Sequence, residues 1–444
     1  MNSETLGETR KRERRSTWGA FIGTAIEWYD FFIFGTAAAL VFSKVFYPEF
    51  APGSALMASF ATMWVGFIAR PVGGMIFGHF GDRFGRKNVL VLTLVIMGSA
   101  TTLIGLLPTY AQIGALAPVL LIVLRAVQGL AVGGEWGGAV VMATENASDK
   151  NKITAGTWVQ QGSPAGSILA TLAFMAVGLL PDEQFLAWGW RIPFLLSALL
   201  VGVGVYIRFR VEETREFEEV RKADATVDIP AVEVFRKNPR ILALAMAASI
   251  TGVTTVYFNN TFLLSWTTSE LKMDRSVILN VLLGMAILQF AWAPFTARLA
   301  RRFGAYQVLS AGLVVMVVLA VPFFAAIQSA DPVAIAAALY VSTLGYGAYW
   351  ALLASWLASA FPARVRYSGV SLAYQLCSSV VGGSTPLLAQ WILTSTGGSP
   401  WAVATYFVCL QLATLAGTWA LRAKMGDRPA RPAPAPEVGL PARA

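Results

Sequence analysis

The sequence predicts an all-α membrane protein with twelve transmembrane helices in two pseudo-symmetric six-helix halves. Three observations predict this fold class. Of the 444 residues, 56% are hydrophobic and 13% are charged, whereas an ordinary globular chain is about 25% charged. Apolar runs of about 20 residues, the length needed to cross a bilayer, recur along the whole chain. The longest hydrophilic connection, residues 210–239, divides these runs into two groups of six.

The first apolar run follows a basic N-terminus, residues 1–17. This run is too long and too aromatic for the core of a cleaved signal peptide, so it is interpreted as a retained first span. Interruptions by glycine, proline and charged residues separate the later runs. The twelve predicted spans cover roughly residues 18–43, 56–80, 88–107, 114–144, 153–180, 189–209, 240–267, 276–299, 306–328, 332–360, 367–394 and 400–422.

These spans define the expected organisation of the chain. The N-terminal half covers residues 18–209 and the C-terminal half covers residues 240–422. Residues 210–239 form a cytoplasmic central loop. Residues 423–444 are rich in proline and are predicted to be a disordered cytoplasmic tail.

Lysine and arginine indicate the orientation, because cytoplasmic connections retain them. With both termini in the cytoplasm, most of the 34 basic residues lie on the inner side. Four lie on the outer side: Lys44, Arg191, Lys272 and Arg275. The sequence therefore predicts an even number of spans and two cytoplasmic termini.

Several classes of function are disfavoured by the composition and by missing motifs. The net charge of +9 arises from short basic clusters between apolar runs, which does not favour a nucleic-acid partner. Cys377 and Cys409 both lie in apolar segments, so no disulfide framework or metal site is expected. The sequence contains no phosphate-binding loop of an ATPase and no hydrolase or metalloprotease motif. No enzymatic site is therefore predicted.

Two short motifs resemble signatures of the major facilitator superfamily. They are Gly81-Asp82-Arg83-Phe84-Gly85-Arg86-Lys87 and Arg125-Ala-Val-Gln-Gly129. Further segments are similar to the metabolite:proton symporters, in the branch around the bacterial shikimate permease: residues 27–31, 133–138, 188–194, 374–375 and 382–386. The resemblance extends from the first to the twelfth span and is weakest in the seventh and eighth.

The resemblance implies a monomeric secondary transporter with the major facilitator fold in a bacterial inner membrane. Its partners would be a small organic anion, protons and the lipid bilayer. The proton gradient would supply the energy without a cofactor. The resemblance also implies that a cytoplasmic latch between the halves contains Asp82, with Arg83, Arg86 and Lys87 completing the gating cluster.

Charged residues inside the spans are functional candidates, because each costs at least about 2.5–3.5 kcal/mol in a bilayer. Glu27 and Asp30 lie three residues apart near the middle of the first span, on one helical face. Two neighbouring carboxylates in a dry site repel each other, which favours proton binding by one of them. Asp30 is the preferred proton-coupling residue and Glu27 the second. The alternative is that one of them only pairs with an arginine.

Arg125 lies deep in the fourth span, where its guanidinium can bind a substrate carboxylate or pair with Glu27 or Asp30. The alternative is a permanent structural ion pair. Arg70 is a candidate for substrate binding or for an ion pair. Glu135 lies about 15 Å closer to the cytoplasm than Arg125, where it is either an inner proton acceptor or the partner of a loop arginine.

A glycine row at four-residue spacing also runs along the fourth span, through Gly129, Gly133 and Gly137. It is interpreted as a packing surface for a neighbouring helix. The C-terminal half contains almost no mid-membrane charge, which suggests that it contributes neutral and aromatic contacts. The further substrate-binding candidates are Gln128, Gln160, Tyr257, Asn260, Tyr374 and Gln375.

The function predicted from these residues is proton-coupled uptake of a small organic acid, such as shikimate or a related carboxylate, by alternating access. One alternative is a proton-coupled exporter of a metabolite or drug. The other, from a different class, is a transporter-like sensor that binds a ligand without moving it.

Overall fold

The computed structural model of the chain describes residues 6–84, 86–133, 152–209, 230–362 and 365–426. Within these ranges the regular elements are all helices. Each of the twelve predicted spans corresponds to a helix, with the described part of the fourth ending at Val132. The prediction of an all-α fold is therefore confirmed.

The helices of the N-terminal half are named α1 to α6. They are α1 Leu6–Ala37, α2 Pro52–Phe84, α3 Arg86–Leu106, α4 Leu116–Val132, α5 Lys152–Gln160 with Gly162–Gly178, and α6 Arg191–Phe209. The helices of the C-terminal half are α7 Pro239–Tyr257, α8 Arg275–Phe303, α9 Ala305–Gln328, α10 Pro332–Ala360, α11 Arg366–Cys377 with Thr385–Ser395, and α12 Pro400–Gly426. Short helices at Ser43–Val45, Tyr110–Ile113, Asp182–Gln184 and Pro230–Lys237 lie between them.

Helices enter all three segments that the sequence predicts to lie outside the spans. α1 already begins at Leu6, inside the predicted N-terminal segment. The short helix Pro230–Lys237 lies inside the predicted central loop, and α12 continues to Gly426, past the predicted start of the tail. α1 and α12 extend beyond their apolar runs because backbone hydrogen bonding does not stop where hydropathy falls, whereas Pro230–Lys237 is a separate short helix.

Hydropathy supports membrane insertion of the described helices. Eight are long and apolar enough to cross a bilayer, and the bent pair Asp182–Gly189 with Arg191–Tyr206 is a ninth candidate. Val91–Leu106 in α3 and Leu116–Val132 in α4 are shorter apolar helices.

Five π-helical turns interrupt the regular α-helical hydrogen bonding in the described residues, and three of them lie near the charged side chains discussed below. Ala38–Phe42 extends α1, Phe258–Leu263 extends α7, and Ser378–Gly382 joins the two parts of α11. Such turns occur often at functional sites because they displace side chains and free carbonyl groups. Those in α1 and α7 contact each other, and that in α11 contacts α2.

Glycine permits α2 and α4 to pack closely. A Cβ atom added to Gly129 would lie 2.8 Å from the Gly66 Cα atom, and one added to Gly133 would lie 2.9 Å from the Arg70 carbonyl carbon. The predicted packing role of the glycine row in α4 is thus observed at both positions. Gly137 lies outside the described residues. This contact positions Arg125, since its Cδ atom would lie 3.0 Å from a Cβ atom on Gly66.

We predict that Gly129→Ala destabilises the folded protein by about 1–3 kcal/mol, the usual cost of an overpacked contact. The measurement is thermal unfolding of the purified protein in detergent. Gly202→Ala in α6 is the matched control, because a Cβ atom there would meet no other atom within 4 Å. Equal melting temperatures for the two variants would contradict the close approach of α2 and α4.

Candidate substrate and proton site

Arg125 is fully buried in α4. Its Nη1 group donates to Gln128 Oε1 at 2.5 Å, and its Nε group donates to the Met63 carbonyl at 3.3 Å. The guanidinium carbon lies 4.1 Å from the centre of the Phe34 ring. The Nη2 group has no hydrogen-bond partner among the described residues. Arg125 therefore keeps one donor group free in a dry site.

Asp30 of α1 is also fully buried and is connected to Arg125 by a chain of hydrogen bonds. Its carboxylate accepts from Ser197 Oγ at 2.6 Å and from Thr101 Oγ1 at 2.9 Å. Thr101 Oγ1 in turn accepts from Gln128 Nε2 at 2.8 Å. Gln128, predicted to bind substrate, is thus placed between Arg125 and the hydroxyl group that binds Asp30. The arrangement lets a change of charge at Asp30 influence Arg125.

Glu27 and Asp30 have different surroundings, although the sequence predicts one shared face and mutual repulsion. Asp30 bonds to α3 and α6 and interacts electrostatically with Arg125. Glu27 interacts electrostatically with Tyr257 and Tyr374 of the C-terminal half. Three residues of α-helix separate two side chains by about 60° around the axis. That angle directs Asp30 into its own half and Glu27 towards the other.

Arg70 of α2 is buried next to Arg125. Its guanidinium carbon lies 4.1 Å from the Phe31 ring centre and 4.3 Å from that of Phe67. Its Nη1 group donates to Ser378 Oγ in the π-helical turn of α11 at 3.3 Å, and its Nε group has no partner among the described residues. Arg125 also lies 5.1 Å from the Phe31 ring centre. Two guanidinium groups thus share one aromatic ring.

Aromatic rings from both halves meet beside these arginines. The Trp28 ring of α1 lies 6.4 Å from Tyr257 of α7 and 5.9 Å from Trp350 of α10, between ring centres. The Tyr257 ring lies 4.8 Å from Phe67 of α2. The charged cluster of the N-terminal half is therefore next to an aromatic surface that both halves build.

The predicted residues Gln160, Asn260 and Gln375 form hydrogen bonds between the two halves. Each is buried, so these bonds hold the two halves together inside the protein. The bonds run from Gln160 Nε2 to the Trp350 carbonyl at 3.2 Å, from Ser167 Oγ to Asn260 Oδ1 at 3.0 Å, and from Gln375 Nε2 to the Gly133 carbonyl at 3.2 Å.

Other predicted residues are described only in part. Asp82 and Arg83 lie in the last turn of α2, and Arg86 and Lys87 in the first turn of α3, but their side chains are outside the described part of the structure. Glu135 also lies outside the described residues. The gating cluster and the inner proton acceptor stay predictions.

Sequence reasoning missed several residues that shape this site. Thr101, Ser197 and Ser378 supply hydroxyl groups to the charged side chains, and Phe31 and Phe67 enclose Arg70. Serine, threonine and phenylalanine are common in apolar spans, so their positions carry no distinctive signal. Of these residues, Phe31 was the one that the sequence could have indicated, because it lies inside a motif that resembles the symporters.

The fold and the buried charged site define the protein as a multi-pass membrane transporter. The family model described as Major Facilitator Superfamily matches residues 20–386, and the chain belongs to that family. The shikimate transporter of Escherichia coli (strain K12) is 39% identical over 401 residues, which cover 89% of this chain and 92% of that protein. The proline/betaine transporter of Salmonella typhimurium (strain LT2) is 34% identical over 397 residues, covering 86% and 78% respectively.

Solved structures show the same fold at low sequence identity. The partially occluded inward open conformation of the xylose transporter XylE from E. coli superimposes with a TM-score of 0.72 at 14% identity, covering 92% of this chain and 98% of that one. These comparisons confirm the fold class, the superfamily and the assignment as a transporter and not an enzyme.

Proposed function

We propose that this protein is a proton-coupled symporter that imports a small monocarboxylic acid, such as shikimate or a related carboxylate, by alternating access. One observation carries the proposal: Arg70 and Arg125 are both buried, lie on the same Phe31 ring, and each keeps an N–H group without a hydrogen-bond partner among the described residues. Buried unpaired donors are costly. A carboxylate would satisfy both.

Asp30 provides a physical basis for coupling to protons. When Asp30 is charged, its negative charge compensates that of Arg125 through the Thr101 and Gln128 connection. When Asp30 is protonated, that compensation is lost and the guanidinium attracts a substrate anion more strongly. Proton and substrate therefore bind together on one side and leave together on the other, with the proton gradient as the energy source and no cofactor.

The proposed orientation places both termini in the cytoplasm of a bacterial inner membrane, with the protein acting as a monomer. The distribution of lysine and arginine supports this orientation. The aromatic surface formed by Trp28, Tyr257 and Trp350 suits the ring or carbon skeleton of the substrate.

A second candidate substrate is a zwitterion that combines a carboxylate with a quaternary or cyclic ammonium group. Aromatic faces bind such cations, and Glu27 interacts electrostatically with Tyr257 beside them. The similarity to a protein named proline/betaine transporter supports this candidate.

The experiment is uptake of labelled compounds into proteoliposomes that contain the purified protein. The panel contains shikimate, other small monocarboxylates and glycine betaine, each with and without an inward proton gradient. We expect accumulation of one of the acids against its own gradient when protons flow inward. Accumulation of betaine alone would favour the zwitterion. Efflux of preloaded substrate that is stimulated by an inward proton gradient would favour an exporter, because protons then enter in exchange for the substrate that leaves. Binding without transport would favour a sensor.

A further inference from the structure

Arg275, at the start of α8, inserts into a group of N-terminal-half residues at the end of the bundle where α5 ends and α8 begins. Its Nη2 group donates to the carbonyls of Gly178 and Leu180, each at 3.0 Å. Its Nη1 group donates to the carboxylate of Asp182, with which it forms an ion pair. Its guanidinium carbon lies 4.2 Å from the centre of the Phe185 ring. We call these four N-terminal-half residues the Arg275 socket.

The socket suits an arginine better than any other cation. α5 ends at Gly178, and the last carbonyl groups of a helix lack intrahelical partners and carry partial negative charge. The flat guanidinium donates to two carbonyls and a carboxylate at once and stacks on a ring, which a lysine ammonium cannot do. The arginine side chain is 20% exposed and that of Asp182 is 84% exposed, so the acid approaches the inserted cation from the solvent side.

The start of α8 is itself fixed, which holds Arg275 in place. Asp274 is the N-cap residue of α8, and its carboxylate accepts a hydrogen bond from the Ser276 backbone N–H at 2.7 Å. Hydrogen bonding to Ser276 holds the pKa of Asp274 below its ordinary value, so the cap persists as a carboxylate near neutral pH. Arg275 therefore projects from a capped helix end and not from a free loop.

The two sides of this contact belong to different halves, because residues 178–185 precede the central loop and Arg275 follows it. Any transporter that works by alternating access separates its halves at one face and then at the other. Opening of this face requires Arg275 to leave its socket. Under the orientation proposed above, this face is the outer one, where substrate enters.

We propose that Arg275 and its socket form an outer latch, in which Arg275 is a positioning residue that stabilises the outward-closed state and limits the rate of opening to the outside. The latch is separate from the buried arginine cluster and does not depend on which substrate is carried. Loss of the latch shifts the protein towards the outward-open state, because the other end of the molecule is unchanged.

A second contact at the same end reports closure independently of Arg275. A Cβ atom built on Gly53 of α2 lies 3.9 Å from the Thr394 Cγ2 atom of α11, and these residues also belong to different halves. Cysteines introduced by Gly53→Cys and Thr394→Cys lie within reach of a disulfide when this face is closed. They separate when it opens.

The test measures the rate of disulfide formation between these two cysteines in the full-length protein in membrane vesicles, with Cys377→Ala and Cys409→Ser removing the natural thiols. We expect Arg275→Gln to lower that rate by up to about tenfold, the limit set by the shift in the closed-to-open equilibrium when a charged hydrogen-bonding group is lost. Arg275→Lys should give an intermediate rate. Lys272→Gln removes a neighbouring charge outside the socket and should leave the rate unchanged.

Asp182→Asn is a second variant that keeps the test decisive if Arg275→Gln does not fold, because Asp182 is exposed and its replacement leaves the core intact. It should lower the rate by a smaller factor than Arg275→Gln does, because an exposed ion pair contributes little to stability and the bonds to the two carbonyls remain. Equal rates in the wild-type protein, Arg275→Gln and Asp182→Asn would overturn the latch. So would an equal fall in Lys272→Gln.

Discussion

Arg125→Gln is expected to lower substrate uptake by about 100-fold or more, because it removes a buried cation that the proposed substrate carboxylate needs. The Nη2 group of Arg125 has no partner among the described residues, so it is the donor available to the substrate, while Nη1 and Nε bond to Gln128 and Met63. The measurement is the initial rate of uptake in proteoliposomes, using the compound that the panel identifies. The amount of protein inserted into each preparation is quantified.

Arg125→Lys is the matched variant, since it retains the positive charge and loses the planar guanidinium group with its several N–H donors. We expect a partial recovery of uptake relative to Arg125→Gln. Arg70→Gln should weaken apparent affinity as well, because Arg70 holds the second unpartnered donor. Uptake at the wild-type rate in Arg125→Gln would remove this residue from the substrate site.

Asp30→Asn is expected to reduce gradient-driven accumulation to the level of equilibration, while exchange of substrate across the membrane persists. Asparagine resembles the protonated carboxyl group in size and in lack of charge, and its side-chain oxygen still accepts a hydrogen bond from Thr101 or Ser197. The variant should therefore bind substrate but carry no proton. Accumulation and exchange are measured in the same vesicles, with and without an inward proton gradient.

The control for Asp30 is Ser197→Ala, which removes one hydrogen bond to the carboxylate at 2.6 Å and retains the titratable group. We expect that variant to accumulate substrate, with altered rates. Unchanged accumulation in Asp30→Asn would exclude this carboxylate from the coupling step. A loss of both exchange and accumulation would point to a structural role.

The sequence predicted the burial of four charged side chains in the described parts of the first, second and fourth spans. Glu27, Asp30, Arg70 and Arg125 are all at most 4% exposed. This was predictable because a charge within a long apolar run has no route to water unless the chain breaks. Their assignment to proton coupling and substrate binding stays a prediction.

The partners of those charges were not predictable from the sequence. The bond from Thr101 to Asp30 joins residues 71 positions apart, that from Ser197 spans 167, and that from Arg70 to Ser378 spans 308. Periodicity and spacing describe neighbours along one helix only. The separate directions of Glu27 and Asp30 depend on which helices surround α1, and no local pattern encodes that.

The contact between Arg275 and its socket could not be predicted from the sequence either. Arg275 was predicted only as one of four basic residues outside the membrane, because the sequence places it in a short connection. Its socket is built by the end of α5 and the Asp182 turn, 93 to 97 positions away along the chain. Only the packing of one half against the other shows that this basic residue contacts the opposite half, and that contact makes it a candidate latch.

The membrane class, the twelve apolar spans, the family resemblance and the few charged residues within the spans all follow from the order of the amino acids. They do so because transfer of a side chain from water to lipid is a local property that sums along each span. The tertiary structure alone decided which groups those charges meet: two arginines on one phenylalanine ring, a carboxylate held by two hydroxyl groups, and an arginine seated across the halves. These contacts depend on helix packing, in which the position of each side chain is set by residues far away in the chain.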